Sequence, residues 1–418
     1  MSLLALEPIT HPTAHASRRS RVLIATDTFM PDVNGAAYFT YRLATGLAER
    51  GNDVHVVCPS DTGPSMVDYR EGITVHRLRS RPIPLHPEMR FTAPLGLADT
   101  IADLIDRVDP DVVHAQGHFT VGRATIRAAR RTGVPVVATN HFMPDNLLHH
   151  VPVPERLRAR VAAYGWRDAA RVFSRADHVT TPTEIAARLF ADKGFTGHVE
   201  AVSCGIDLHR FTPGRVGRHT DRHTDRHSSR QRLGLPDRPT VAFVGRLDAE
   251  KRLHEAVEAV AALRRSGTDV QLVLAGTGPL RGELAARAAE LGADVHFTGF
   301  VPDADLPLVY TAADVFVMPG VAELQSIATL EAMASGLPVV AADAVALPHL
   351  VRDGDNGYLY QPGDVAELTG HLRSLLADDL ARRRMGHHSR SIATAHDHQR
   401  SLARFEEIYA SLALRVNR

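Results

Sequence analysis

Short apolar runs alternate with turns and amphipathic stretches from Arg21 onward, in two series separated by a polar interruption. The first series holds Val22–Thr26, Val54–Cys58, Ile73–Leu78, Val112–Ala115, Val134–Ala138, His178–Thr181 and Val199–Val202. The second holds Val241–Val244, Val270–Leu274, Val295–Phe297, Val315–Met318, Val339–Ala341 and Tyr358–Tyr360. Runs apolar at consecutive residues suit strands buried on both faces, and helical crossovers between them require a parallel sheet covered by helices on each side. Between the series, Gly214 to Arg232 carries Arg-His-Thr-Asp twice and then Arg-His-Ser-Ser, which reads as a solvated linker.

The expected fold class is therefore α/β, with two Rossmann-like domains whose parallel sheets face a cleft. The expected boundaries are a loose tail over 1–20, a first domain over 21–205, a linker over 206–239 and a second domain over 240–394. The helical region 395–418 has no strand after it and is free to cross back onto the first domain. A chain of 418 residues with 44% apolar content can fill two such cores. Its formal net charge of zero removes any whole-molecule argument for nucleic acid. The two cysteines, Cys58 and Cys204, cannot build a disulfide framework or a Cys-based zinc site, which fits a reducing compartment. The first residues lack the order of a signal peptide, and no apolar run approaches the roughly 20 residues that span a bilayer. A cytoplasmic protein is expected.

Ligands of open α/β sheets bind beyond the C-terminal strand ends, so the loops there carry the chemistry. Glu331 is the only charged residue between Glu323 and Asp343. A carboxylate in so apolar a helix is expected to be buried and to need partners, either nearby backbone or ligand hydroxyls such as those of a ribose. Glu323 precedes the helix, where an acid is favourable in any case. After Val241–Gly245 comes Arg246-Leu-Asp-Ala-Glu-Lys251. Asp248 reads as a helix N-cap, which places Lys251 and Arg252 in a first turn, where cations oppose the helix dipole unless an anion such as a diphosphate is bound. Gly35 opens the first helix and allows a ligand close to backbone. Gly276-Thr-Gly278 reads as turn geometry, and without G-x-G-x-x-G a dinucleotide site loses its main support.

His141 ends a strand on the same rim and suits a base or a hydrogen-bond donor. With 24 histidines in the chain, His149-His150 and the series His219, His223 and His227 carry little weight, and no metal site is expected. Asp353-Gly-Asp355-Asn-Gly357 reads as a turn rather than a metal motif.

Taken together, these loops resemble the retaining glycosyltransferases of family 4, which have the GT-B fold, and the resemblance covers nearly the whole chain from Arg21. Glu323 and Glu331, with seven residues between them, resemble the paired-glutamate signature. Val-Gly-Arg246-Leu with Lys251 resembles the diphosphate-binding element, and Phe-Met-Pro-Asp-Val-Asn-Gly35 the N-terminal glycine loop. The resemblance implies that Glu331 holds the ribose and Glu323 the donor-sugar hydroxyls. It implies that Arg246 and Lys251 neutralise the leaving diphosphate, with backbone from Gly35, and that Val301 meets the nucleobase. It places His141 at the donor sugar and Gln325, Ser326 and Ile327 along the donor. Glu323, His141, Arg246 and Lys251 form the expected catalytic set. Many members carry Gly-Phe-Gly after the first glutamate; this chain has Leu324-Gln325-Ser326, so Gln325 is a candidate reader of sugar hydroxyls.

The implied activity is transfer of a hexose, glucose or mannose, from a UDP- or GDP-sugar to an acceptor hydroxyl. Retention, no metal and no cofactor beyond the donor substrate are implied with it. The region around Gly35 leans toward lipid glucosyl- and mannosyltransferases that make glycolipids. In agreement, 154–175 holds Arg156, Arg158, Arg160, Arg167, Arg171 and Arg175 with the sole tryptophan, Trp166. Such a helix can lie on an anionic inner-membrane face, or it can be an ordinary solvated helix packed on its sheet. A sugar-nucleotide epimerase of the same fold and a non-catalytic nucleotide-sugar-binding protein are the alternatives; an NAD-dependent dehydrogenase ranks below both.

Overall fold

The computed structural model describes residues 19–32, 34–83, 86–144, 154–213 and 222–416. The early strands are β1 (Arg21–Ala25), β2 (Asp53–Pro59), β3 (Met66–Arg70), β4 (Ile73–Leu78), β5 (Arg81–Ile83) and β6 (His86–Phe91). Then come β7 (Val112–Ala115), β8 (Val136–Thr139), β9 (His178–Thr181) and β10 (Val199–Ala201). An eight-stranded sheet runs β10-β9-β8-β7-β1-β2-β4-β3, and every pair in it is parallel except β3 with β4. Strands β5 and β6 form a separate antiparallel hairpin.

Neither β3 nor the hairpin is expected from the sequence, and both have a physical reason to be missed. The edge strand β3 buries neither face, so it lacks an apolar run, and the hairpin carries Pro82 and Pro87. Of the helices on this sheet, Leu97–Val108 shows how they form. Leu97, Ile101, Leu104, Ile105 and Val108 fall on its buried face, Asp99 lies in the first turn and Arg107 in the last.

The second sheet is built from β11 (Thr240–Val244), β12 (Gln271–Ala275), β13 (Val295–Gly299), β14 (Val315–Met318), β15 (Val339–Ala342) and β16 (Gly357–Tyr360). Its order is β13-β12-β11-β14-β15-β16, all parallel, which is the doubly wound Rossmann arrangement. The chain is thus α/β with two parallel-sheet units.

The solvated-linker expectation fails over Arg222–Arg232, which is a helix with Asp225, Arg226, Ser229 and Arg230 buried. It docks through charge rather than apolar surface. Arg226 and Arg230 both bond the Asp314 carboxylate, at 2.8 and 2.6 Å, and Asp314 also accepts the Thr240 amide at 2.8 Å. His219 and the side chain of His223 lie outside the described residues, as do His149 and His150, while His227 pairs with Asp237 at 2.8 Å. Among the described residues no three acids, histidines or cysteines gather as a metal site.

Two crossings join the units, and they run side by side. The Ile206 amide donates to the His396 carbonyl at 2.8 Å, and the His398 amide donates to the Ile206 carbonyl at 3.0 Å. Beyond them the last helix, His398–Val416, lies on the first sheet. Its Leu402, Phe405, Ile408, Tyr409 and Leu412 share one apolar cluster with Val22, Ile24, Val54 and Val56.

Candidate active site

In the second sheet the strand order reverses between β11 and β14, and the loops after these two strands meet at that point. The first of them holds Gly245 to Arg252. Its neighbour 276–278 packs against it so closely that a Cβ on Gly276 would run into the Gly245 carbonyl oxygen, and one on Gly278 into Leu247 backbone. The G-x-G pair therefore serves backbone approach between two loops.

The expected helix start is corrected here. Ala249–Lys251 is a 3-10 turn, Arg252 has φ of 47°, and the α-helix begins only at Leu253. Asp248 makes no side-chain cap bond. Lys251 and Arg252 are thus outside the first helical turn, and the dipole argument does not apply to them. Instead Arg246 pairs with Asp248, and the Lys251 ammonium pairs with Glu323 across the two loops.

Ser326 caps the helix Ile327–Ala334, its Oγ accepting from the Thr329 amide at 3.4 Å. On that helix Glu331 is 3% exposed, and both carboxylate oxygens are engaged: Oε1 accepts from Arg42 at 2.8 Å and Oε2 from the Tyr310 hydroxyl at 2.7 Å. Burial and the adjacent carboxylate push the Tyr310 hydroxyl well above its usual range. Burial disfavours the Arg42 charge, but Glu331 more than offsets this and raises its pKa. The buried carboxylate found partners, and they are side chains rather than local backbone.

Gln325 departs from expectation. Its side chain points away from the cleft into the crossings, where Oε1 accepts from the Cys204 amide at 2.7 Å and Nε2 donates to Ser203 Oγ at 3.1 Å. A side chain 8% exposed and so bonded does not read sugar hydroxyls. Ile327 packs against the apolar cluster of the first unit, and Val301 follows β13, half-buried against the core of the second.

The first sheet reverses order between β1 and β7, and Gly35 and Gln116 follow those strands. Asn34 caps the helix Gly35–Glu49 by accepting from the Ala37 amide at 2.9 Å, and a Cβ on Gly35 would meet nothing within 4 Å. His141 donates through Nε2 to Gln116 Oε1 at 2.7 Å and rests 4.6 Å from the Phe39 ring. Burial lowers its pKa to about 3, so its ring is neutral at ordinary pH and can exchange hydrogen bonds without carrying charge. Gln116 in turn reaches buried His114, which also meets Tyr409 of the last helix at 2.7 Å.

Arg42, Tyr310 and Gln116 escape the sequence reading. Arg42 leaves one signal, as the only basic residue of the helix Gly35–Glu49. Trp166 is corrected too: it is 2% exposed and belongs to the first core, so it is no membrane anchor. The exposed face of the helix Glu155–Phe173 instead carries Leu157, Val161 and Tyr164 beside Arg160, Arg167 and Arg171. No helix among the described residues is long and apolar enough to cross a membrane.

Comparison with known proteins agrees with this geometry. Residues 33–210 match the family described as Glycosyltransferase Family 4, and residues 225–392 match Glycosyl transferases group 1. The chain is 33% identical over 371 residues to a GDP-mannose-dependent alpha-mannosyltransferase of Mycolicibacterium smegmatis, covering 88% of this chain and 90% of the relative. It is 28% identical over 343 residues to an alpha-monoglucosyldiacylglycerol synthase of Streptococcus pneumoniae, covering 81% and 75%. Among solved structures, a sucrose-phosphate synthase from Thermosynechococcus elongatus superposes with a TM-score of 0.74 at 21% identity, over 94% of this chain and 99% of that one. The two parallel-sheet units therefore belong to a hexosyltransferase of the GT-B fold, and the chain is a member of glycosyltransferase family 4.

Proposed function

We propose that this enzyme transfers mannose or glucose from a GDP- or UDP-sugar to a hydroxyl of a lipid acceptor, with retention and without a metal ion. The observation that carries the reading is the cross-loop pair of Lys251 and Glu323 beside Arg246, at the reversal point of the second sheet. An anionic diphosphate takes over Arg246 and Lys251 from the acids that now hold them. Glu323, released from Lys251, then accepts from the donor-sugar hydroxyls. The two cations meet the charge that develops on the leaving phosphate, helped by the helix N-terminus at Gly35. Neutral His141 contacts the sugar from the opposite side, and Glu331 takes the ribose once Arg42 withdraws. The leaving phosphate oxygen, on the face where the acceptor enters, receives the acceptor proton.

The relatives support the donor and acceptor classes, since one is named for GDP-mannose and another for a glucosyl diacylglycerol. The mixed face of Leu157, Val161, Tyr164 and arginines on Glu155–Phe173 supports peripheral contact with an anionic membrane. The test is turnover with GDP-mannose and UDP-glucose against phosphatidylinositol and diacylglycerol, with anomeric analysis of the product and EDTA in parallel. Arg246→Ala is expected to lower kcat by at least about 100-fold. Unchanged turnover in that variant, or an epimerised donor with no glycoside formed, would refute the assignment.

A further inference from the structure

Leu324 and Gln325 stand where many family members have glycine and phenylalanine, and both side chains leave the unit to which their backbone belongs. Leu324 is 7% exposed and sits in the first unit's apolar cluster with Val113, Ala186 and Phe190. Its carbonyl accepts from Thr183 Oγ1 at 2.9 Å, while the same hydroxyl caps the helix Glu184–Asp192 by accepting from the Ala186 amide at 3.1 Å. One residue on, Gln325 holds the Cys204 amide and Ser203 Oγ of the outgoing crossing, and Ser203 Oγ lies 2.9 Å from His396 Nδ1 of the returning one. Gln325 Nε2 is itself 3.4 Å from that ring nitrogen.

We infer that Leu324 and Gln325 are positioning residues that fasten the donor-sugar loop to the first domain and to both interdomain crossings, so that the loop takes its working position only when the two domains are closed. The inference rests on the reading that 323–326 meets the donor sugar. The loop is strung between two bodies. Glu323 is held by Lys251 of the second sheet's own basic loop, and the next two residues by Thr183 and the crossings. A hinge movement that carries Cys204 and His396 apart must pull on Gln325, and Ser326, the cap of the Glu331 helix, follows directly in sequence. Domain closure and the presentation of the loop are then one event, with fit to the donor coupled to arrival of the acceptor side.

The test uses the full chain with Gln325→Leu, which keeps bulk and removes the polar atoms, and Gln325→Glu, which keeps an acceptor for the Cys204 amide. Folding of both is checked by circular dichroism. In Gln325→Leu we expect the Cys204 amide and the 323–330 peptide to exchange hydrogen about ten-fold faster. We expect kcat to drop by a similar factor while affinity for UDP or GDP alone changes less than about two-fold. Gln325→Glu keeps the acceptor for the Cys204 amide and should recover part of the lost kcat together with slower exchange at Cys204. A loop loosened without hinge coupling would instead weaken nucleotide binding along with kcat. Unchanged exchange at Cys204 and 323–330 overturns the inference whatever the donor is. Faster exchange with full kcat, while Glu323→Gln is inactive, also overturns it. Faster exchange with full turnover in both Gln325→Leu and Glu323→Gln refutes instead the donor-loop reading beneath it.

Discussion

The ion pair between Arg42 and Glu331 crosses from the first helix of one domain to the signature helix of the other, and its removal is a quantitative test of the structure. The side chains are 17% and 4% exposed, so solvent screens the pair little. Arg42→Met keeps most of the aliphatic stem and leaves a buried carboxylate still bonded to the Tyr310 hydroxyl. Breaking one side of such a pair costs about 3–5 kcal/mol. Taking the lower end, because Tyr310 stays, gives a loss of about 3 kcal/mol and a fall in Tm of roughly 6–12 °C. Glu331→Gln removes the charge that Arg42→Met strands, so the double variant should be more stable than the sum of the singles. A coupling of about 2 kcal/mol in a urea-denaturation cycle is expected. Additivity within about 0.5 kcal/mol would show that the two side chains do not meet, and with it that the helices of the two domains do not lie as described.

Three further outcomes are expected from buried groups. His76, His118, His141 and His396 all have pKa values lowered by burial, to between about 3 and about 4, so the unfolded chain binds protons before the folded one does. Stability should therefore decline as pH falls from about 6.5 toward 4, and a urea midpoint at pH 5.5 equal to that at pH 7.5 would contradict this. Asp314→Ala leaves Arg226 and Arg230 buried without their shared carboxylate and should cost about 3–5 kcal/mol; a melting curve unchanged from the parent would return 222–232 to the status of a solvated linker. Gly276→Ala forces the β12 loop away from Gly245 and should cost about 1–3 kcal/mol together with weaker nucleotide binding by calorimetry. Wild-type affinity and stability in that variant would mean that the loops are not so closely packed.

Much of this architecture is legible in the sequence because parallel strands buried on both faces leave uninterrupted apolar runs, as at Val315–Met318 and Val339–Ala342. Where an element is held by something other than apolar burial, the same reading fails. The helix Arg222–Arg232 is anchored by two arginines on one aspartate, and β3 by a single antiparallel neighbour. The start of the helix after β11 is displaced because Arg252 takes a left-handed conformation that nothing in its residue type announces. In the site, Glu331 stands out as a lone charge among apolar neighbours, but its partner Arg42 lies 289 positions away and no local pattern links them. Gln325 is conspicuous as an atypical residue, while the direction of its side chain depends on where the crossings run.

The placement of the last helix also fixes an order of events during synthesis. Phe405, Ile408 and Tyr409 complete the core around Val22 and Val54, so the first domain lacks part of its interior until these residues emerge, after the whole of the second domain. The second domain has its whole sheet in hand by Tyr360 and its helices by Ala393. Domains usually fold as units in the order of their synthesis. Here the later one is complete earlier, and the nascent first domain waits with an uncovered apolar face until the helix His398–Val416 returns to close it.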